Sequence, residues 1–260
     1  MHILTNTQGL LLYIAMAAYA AAAILLLLRR PVGWVAYGLG FAAAAGAFAL
    51  RWQDSGHIPL KNLYDVMMFT GTVFPPLSVF CRFGLLVRAE ALDAIIGIAF
   101  LFPVGFMFNP ATNPRIPALQ SPLFVPHVLV YMLGYAIMAK ATVQAVGRLC
   151  CRGPAKRTAA FDRGAYRLVA MSFPLLTAGL LLGAWWGKLV WTSYWHWDPK
   201  ELWSLATWLS LLIYLHCRRS RWAPARLSAG LVIVSMTLIA ITLLWANLST
   251  LFSGLHSYGG

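Results

Sequence analysis

Long apolar runs separated by short polar segments make up almost the whole chain. Eight of these runs are candidates for membrane-spanning helices, near residues 9–28, 32–50, 66–84, 92–108, 123–146, 167–186, 199–217 and 227–249. At 1.5 Å per residue a helix of this length can cross a hydrocarbon core of about 30 Å, although the fourth run is short. Prolines within the third, fourth and sixth runs are expected to kink those helices. The pattern predicts an all-α, polytopic integral membrane protein with a single transmembrane domain over residues 1–260.

Composition supports the same class of protein. Hydrophobic residues make up 60% of the chain and charged residues only 10%. A soluble domain carries roughly 25% charged residues, so this chain cannot cover itself with a polar surface. A lipid bilayer is therefore its expected surroundings.

The basic residues predict an orientation, because cytoplasmic loops retain Lys and Arg. With eight spans, fourteen basic residues fall on one side of the membrane and five on the other, with Lys140 left inside the fifth span. Both termini are therefore expected on the outer side. The net charge of +13 is mostly this topological signal, together with attraction to anionic lipid. Nucleic acid is not an expected partner, since the charges are scattered over short loops.

The four cysteines all fall at the predicted cytoplasmic ends of helices, and the chain has no CxxC motif. Thiols stay reduced in that compartment. A transmembrane thiol–disulfide carrier is therefore excluded.

The predicted outer side holds the most unusual stretch, "GAWWGKLVWTSYWHWDPKELW" at residues 183–203, with six of the eleven tryptophans. Asp198 followed by Pro199 and Glu201 predicts an N-terminal capping box at the start of the seventh span, so these charges need no catalytic role.

Capping does not explain the tryptophans. Trp191, Tyr194 and Trp195 have i, i+3 and i+4 spacing, so a short helix would place them on one face. A continuous aromatic shelf suits a flat, polarisable ligand with charged edges, such as haem. A quinone or a lipid headgroup would also fit.

Histidines on the same predicted side of the membrane are candidate ligands of haem iron. His127 opens the fifth span and His256 follows the eighth, both on the predicted outer side, where imidazoles from separate segments could supply two axial ligands to haem iron. His216 lies near the inner end of the seventh span, and ionisable residues in spans are often functional. The alternatives are an interfacial residue for His127, a solvated one for His256 and a side chain extending to the interface for His216. His57 is interpreted as a turn residue, and His196 as a local hydrogen-bonding partner.

Four stretches together resemble one known family. "WTSYWHWDPKELWSLATWLSLLIYLH" resembles the WWD signature of haem-handling proteins, placing the WWD segment at residues 183–208. The stretches "SGHIPLKNLYD", "PHVLVYMLGYA" and "GLHSYG" resemble the CcsA/ResC branch, the membrane component of system II cytochrome c synthases. The resemblance covers the chain from about residue 50 onward.

This resemblance implies a haem export and attachment function in a bacterial-type inner (cytoplasmic) membrane. His127 and His256 match the outer ligands of haem iron, and His216 matches a ligand of an inner haem whose second histidine comes from a CcsB/ResB-like subunit. The platform for haem b would comprise the WWD residues Trp186, Trp191, Trp195, Trp197 and Asp198. The chain would act as a subunit of a cytochrome c haem lyase complex, presenting haem to the CxxCH motif of apocytochrome c. No catalytic acid or base is assigned.

Three other functions stay open at this stage. A CcmC-type relative would deliver haem without attaching it. A quinone-linked electron carrier predicts histidine pairs on facing spans, and this chain lacks the second histidine of any such pair. A transporter unrelated to haem leaves the tryptophans unexplained.

Overall fold

A computed structural model describes residues 4–110, 117–220 and 224–245, without the side chain of Trp245. These ranges contain eight α-helices and no β-strand. The helices are α1 (Thr7–Leu27), α2 (Gly33–Ser55), α3 (Leu63–Phe83), α4 (Glu90–Phe106), α5 (Phe124–Cys150), α6 (Ala155–Trp191), α7 (Pro199–Arg219) and α8 (Ala225–Ala240). A 3₁₀ turn at Pro117–Gln120 precedes α5, and a π-helical turn at Ile241–Trp245 extends α8.

The helices confirm the all-α polytopic class. Six helices in the described ranges are long and apolar enough to cross a membrane, namely α1, α2, α3, α5, α6 and α8 with its extension to Leu244. Helix α4 has only 17 residues. Helix α7 has 21 residues but carries Lys200 and Glu201 at one end and two arginines at the other, which lowers its mean hydropathy.

The largest difference from the sequence pattern is the length of α6. The expected span covered residues 167–186, whereas the helix runs from Ala155 to Trp191, which is 37 residues or about 55 Å. Its first turns are rich in Lys and Arg, which favour helix as strongly as leucine does, so they extend the helix beyond its apolar part. Pro174 lies inside this helix, as Pro103 does in α4 and Pro75 and Pro76 in α3.

The chain divides into two compact units, an N-terminal unit (Met1–Arg115) and a C-terminal unit (Ile116–Gly260). The expectation of one domain over residues 1–260 stays a prediction.

A buried ion pair links α2 and α3 in the N-terminal unit. The Nε atom of Arg51 donates to Oδ1 of Asp65 at 2.9 Å, and both side chains are at most 5% exposed. The guanidinium also lies over the Tyr64 ring and donates to the carbonyl of Pro110. Removing one partner of such a pair strands a buried charge, so the unit depends on both.

The C-terminal unit is built on the antiparallel pair α5 and α6. Ser172 on α6 donates its hydroxyl hydrogen to the Gly134 carbonyl of α5 at 3.0 Å. The hydroxyl of Ser235 on α8 donates to that of Ser210 on α7 at 2.9 Å. Such contacts between helices are typical of membrane bundles, where small and hydroxylated residues allow close approach.

Candidate functional site

His127 lies in the first turn of α5 and reaches across to α6. Its Nδ1 is 2.9 Å from the carbonyl oxygen of Gly179. A carbonyl can only accept a hydrogen bond, so this contact requires Nδ1 to carry the proton. In the neutral imidazole the lone pair then resides on Nε2, which is the nitrogen a metal would bind. Helix α6 therefore fixes both the tautomer and the direction of the ring.

Two glycines on α6 make room for this contact. A Cβ atom on Gly183 would stand 2.5 Å from Cε1 of His127, and one on Gly179 would stand 2.8 Å from the ring of Tyr131. These distances are too short for any side chain. The two residues form the sequence "GLLLG", a GxxxG pattern that marks close helix approach. Selecting residues by their chemistry does not identify these two glycines, although their GxxxG spacing in the sequence does.

Trp186, also on α6, packs against the ring of His127. Its ring stacks on the imidazole with centroids 5.8 Å apart and an interplanar angle of 27°. The indole is only 1% exposed, packs against Phe124 and Leu119, and donates from Nε1 to the Ala118 carbonyl at 3.1 Å. The segment before α5 thus holds Trp186 in place by a directed hydrogen bond as well as by packing.

Trp191 contacts Trp186 on one side and His196 on the other. The Trp186 and Trp191 rings meet at 4.9 Å and 64°, and the Trp191 and His196 rings meet edge to face at 5.9 Å. Helix α6 ends between them at Thr192, whose φ of 66° is left-handed. His196 therefore joins the same cluster as His127, which the sequence interpretation did not anticipate. The cluster formed by His127, Trp186, Trp191 and His196 is called the Trp–His cluster below.

Trp195 and Trp197 form a separate contact. Their rings meet edge to face at 6.0 Å, and Trp197 is 66% exposed with a left-handed φ of 57°. This φ is rare for a bulky residue. The predicted short helix over Trp191, Tyr194 and Trp195 is wrong, because α6 ends at Trp191 and residues 192–198 are not helical. The contact between Trp195 and Trp197 thus comes from a non-helical segment rather than from one face of a helix.

The predicted capping box at the start of α7 is confirmed. Asp198 is the N-cap and accepts from the Lys200 backbone N–H at 2.9 Å. Glu201 reaches back, and its Oε2 accepts from the backbone N–H groups of His196 at 2.8 Å and of Asp198 at 3.2 Å. These contacts give Asp198 a structural role at the start of α7, and they also tie His196 to α7.

The remaining histidines lie elsewhere. His216 is exposed near the end of α7, on the same face as the exposed residues Leu209, Leu212 and Ile213. His57 lies in the N-terminal unit, where its Nδ1 is 3.0 Å from the Ile58 carbonyl, as a turn residue would be. His256 lies outside the described residues. Among the described residues, no group of three or more His, Cys, Asp or Glu is placed to hold a metal ion.

Together, the fold and these contacts define a multi-pass helical membrane protein with a Trp–His cluster built around the buried Trp186. Residues 60–256 match the family described as "Cytochrome C assembly protein". The chain belongs to this family, and the resemblance to the CcsA/ResC branch is confirmed.

Relatives named "Cytochrome c biogenesis protein CcsA" show how far the similarity extends. The protein from Chlamydomonas reinhardtii is 35% identical over 225 residues, covering 81% of this chain but only 63% of that relative. The protein from Nicotiana tomentosiformis is 29% identical, covering 84% of this chain and 82% of the relative. The protein from Microcystis aeruginosa is 28% identical, covering 98% and 96%. The chain thus spans less than two thirds of the algal protein and nearly all of the cyanobacterial one.

Proposed function

We propose that this chain is the membrane subunit of a system II cytochrome c synthase. It takes haem b across the inner (cytoplasmic) membrane and presents it on the outer side for attachment to apocytochrome c. Membership of the cytochrome c assembly family and the names of the relatives support this function. A separate CcsB/ResB-like subunit completes the complex.

The observation that carries the proposal is the setting of His127. Its Nδ1 faces the Gly179 carbonyl, so Nε2 is the nitrogen with the lone pair. Stacking on the buried Trp186 restricts the ring. A ligand to haem iron needs both properties, because the orientation of the imidazole is usually set by the partner of its second nitrogen.

His256 is proposed as the second outer ligand. The family match extends from residue 60 to residue 256, so it includes both histidines. Trp191, Trp195, Trp197 and Asp198 stay in the proposed haem platform, with Trp197 as its most exposed member.

His216 is proposed as a ligand of haem on the inner side before export. Its exposure on a lipid-facing or partner-facing surface of α7 supports a second ligand from another subunit. An ionisable side chain is costly against lipid alone, which favours a partner at this surface.

The reaction itself needs mainly positioning. Each CxxCH thiol would add across one haem vinyl group. The S–H bond and the π bond of the vinyl group break, a carbon–sulfur bond forms at one vinyl carbon, and the proton goes to the other vinyl carbon. Holding haem and thiols together can lower the barrier by several kcal/mol. The Trp–His cluster, with His127 held between a hydrogen bond and the Trp186 ring, supplies an oriented surface for this purpose.

The test uses the full chain co-expressed with a ResB-like subunit and a reporter apocytochrome. Haem is quantified by pyridine haemochrome and visible spectra for the wild type, His127→Ala, His256→Ala and His216→Ala, with His57→Ala as the control. The single outer-ligand variants should lose most bound haem or shift its spectrum, and added imidazole should restore the wild-type spectrum. His57→Ala should retain wild-type haem content.

Wild-type protein without haem, with or without the partner, would overturn the site. Unchanged spectra in all three variants would place the ligands elsewhere. Haem binding without holocytochrome formation, in cells where a known synthase matures the same reporter, would indicate delivery instead of attachment.

A further inference from the structure

A carboxylate lies beside the ring of His196. Nδ1 of this histidine is 4.0 Å from Oε1 of Glu201, and the imidazole meets the Trp191 ring edge to face. In His57 and His127 the same nitrogen instead faces a backbone carbonyl. A histidine oriented by a carboxylate is the arrangement that enzymes use to move a proton. His196 therefore has surroundings suited to acid–base chemistry.

Glu201 is held in place by the backbone of the segment that carries His196. Its Oε2 accepts from the backbone N–H groups of His196 at 2.8 Å and of Asp198 at 3.2 Å. The Glu201 side chain is only 13% exposed. The separation of 4.0 Å between Oε1 and Nδ1 is longer than a hydrogen bond. Catalytic hydrogen bonds are often long without substrate and shorten when it binds, so this pair has the geometry of a site that closes on its substrate.

The two ring nitrogens of His196 have different surroundings. Nδ1 is closed off from solvent and makes no hydrogen bond within the described ranges, whereas 23% of the side chain is exposed. The exposed area therefore lies on the other atoms of the side chain. A proton on Nδ1, facing Glu201, leaves the lone pair of the neutral ring on Nε2. Nε2 is then the nitrogen that can accept a proton from a substrate.

The charged groups near His196 leave Glu201 as its partner. Asp198 is the N-cap of α7 and accepts from the backbone N–H of Lys200 at 2.9 Å. Lys188 on α6 donates from Nζ to a backbone carbonyl at 2.8 Å. In the described part of the chain, the ion pair formed by the imidazole is the one with Glu201.

We propose that His196 is the general base for thioether formation and that Glu201 positions it, an assignment that rests on the proposed function. Nε2 accepts the proton of a CxxCH thiol, so the S–H bond breaks and its electron pair stays on sulfur. The thiolate forms the carbon–sulfur bond at one vinyl carbon while the π bond breaks. The imidazolium then returns the proton to the other vinyl carbon. The addition is redox-neutral, so it requires no oxidant or reductant.

The chemistry of the thiol explains why a base is useful at this place. The thiolate is the nucleophile, and a free cysteine has a pKa of about 8.5. Only a few per cent of such a thiol is ionised near neutral pH. His196 lies between Trp195 and Trp197 in the chain and touches Trp191, so it is within the proposed haem platform. A thiol brought to a vinyl group there meets a base, and the carboxylate of Glu201 stabilises the imidazolium between the two proton transfers.

The test uses the full chain with a ResB-like subunit, loaded with haem and mixed with a reduced CxxCH peptide. Single-turnover attachment is followed by the shift of the pyridine haemochrome spectrum. His196→Gln should keep the haem content and visible spectrum of the wild type, but should attach haem about 100-fold more slowly at neutral pH. The deficit should shrink as the pH rises, because the thiol then ionises without a base. His57→Gln is the matched control and should attach haem at the wild-type rate.

Glu201→Gln tests the positioning role separately from capping. Glutamine also completes a capping box, so the unfolding temperature should stay close to that of the wild type. Loss of the carboxylate should lower kcat by about tenfold, with little change in KM for the peptide. The double variant with His196→Gln should be no slower than His196→Gln alone, because Glu201 acts through His196. A merely structural role would instead add to the deficit.

A second readout measures the thiol without the attachment reaction. Mesohaem carries ethyl groups in place of the vinyl groups, so the complex with the CxxCH peptide cannot react further. Alkylation of the bound thiols by iodoacetamide then reports their ionisation. At neutral pH it should be faster in the wild type than in His196→Gln, and His57→Gln should match the wild type.

The outcomes separate this inference from the proposed function. Wild-type protein that attaches no haem would overturn both. Wild-type attachment, with equal rates in His196→Gln at every pH, would overturn the general base alone. Loss of haem or a shifted spectrum in His196→Gln would make this residue an iron ligand and overturn the assignment. Glu201→Gln keeps the cap, so it tests the pair even where His196→Gln misfolds: a wild-type kcat in this variant would contradict the positioning role.

Discussion

The position of His127 depends on two glycines of α6, because a side chain at either position would occupy the space that α5 needs. The ring fills the space where a Gly183 side chain would stand, and its Nδ1 meets the Gly179 carbonyl. The sequence identifies His127 as a candidate ligand, whereas its contacts with α6 depend on how α5 and α6 pack. A histidine in a first turn indicates an interfacial residue or a ligand equally well, and only the contact across the helix pair defines its tautomer.

Adding a methyl group at Gly183 tests this arrangement. Gly183→Ala would force a Cβ to within 2.5 Å of Cε1 of His127, so the ring must rotate or the helices must separate. Overpacking of this kind typically costs about 1–3 kcal/mol. We expect a lower unfolding temperature, and a changed haem spectrum or reduced haem content in the complex with the partner subunit.

The matched control for this substitution is Gly230→Ala on α8, where a new Cβ meets nothing within 4 Å. This variant should be neutral or slightly stabilising, since alanine favours helix over glycine by up to about 1 kcal/mol. Equal behaviour of the two variants would contradict the proposed role of the close approach.

At the scale of elements, the start of α7 shows how a local pattern can determine structure by itself. Asp198, Pro199 and Glu201 predict the capping box because its hydrogen bonds connect residues within four positions of one another. The prediction for the segment before the capping box, residues 191–195, was wrong. Spacing alone favours a helix over residues 191–195, but the left-handed Thr192 ends α6 there. Trp191 packs on Trp186 and His196, and the segment that joins Trp191 to His196 is not helical.

Substitutions of Asp198 distinguish capping from ligand binding. Asp198→Ala should destabilise the protein by about 1 kcal/mol, whereas Asp198→Asn should cost only a few tenths, because asparagine caps nearly as well. If capping is its whole role, Asp198→Asn should also bind haem and support cytochrome maturation like the wild type. Thermal unfolding and the haem assay are measured on the same preparations, and loss of haem with normal stability would instead place the carboxylate in the platform.

For the whole molecule, the charge asymmetry predicts which side each end of the C-terminal unit faces. The tryptophan segment and the arginine-rich part of α6 lie at opposite ends of this helix, since one begins at Gly183 and the other precedes Leu168. Helix α5 runs the other way, from His127 near its start to Cys150 at its end. Cytoplasmic loops retain basic residues, so the tryptophan end is expected outside.

Thiol labelling of intact cells tests the orientation. Tyr194→Cys introduces a thiol at a position that is 60% exposed, and the native Cys150 is exposed at the other end. A membrane-impermeant maleimide should modify residue 194 without lysis, and should modify Cys150 only after permeabilisation. Peptide mass spectrometry identifies the modified position, with Cys150→Ser as the control for native labelling. Labelling of Cys150 in intact cells would reverse the orientation.

The sequence by itself determined the helical membrane class, the capping of α7 and the family, because each follows from local spacing, hydrophobic length or motif order. Tertiary structure decided which residues meet. It placed Trp186 against His127, Trp191 against His196, and Arg218 over Tyr166. These contacts are between helices or across loops, where the close approach at Gly179 and Gly183 and the ending of α6 fix the geometry. No spacing along a single helix encodes such distances, since they depend on how two surfaces pack.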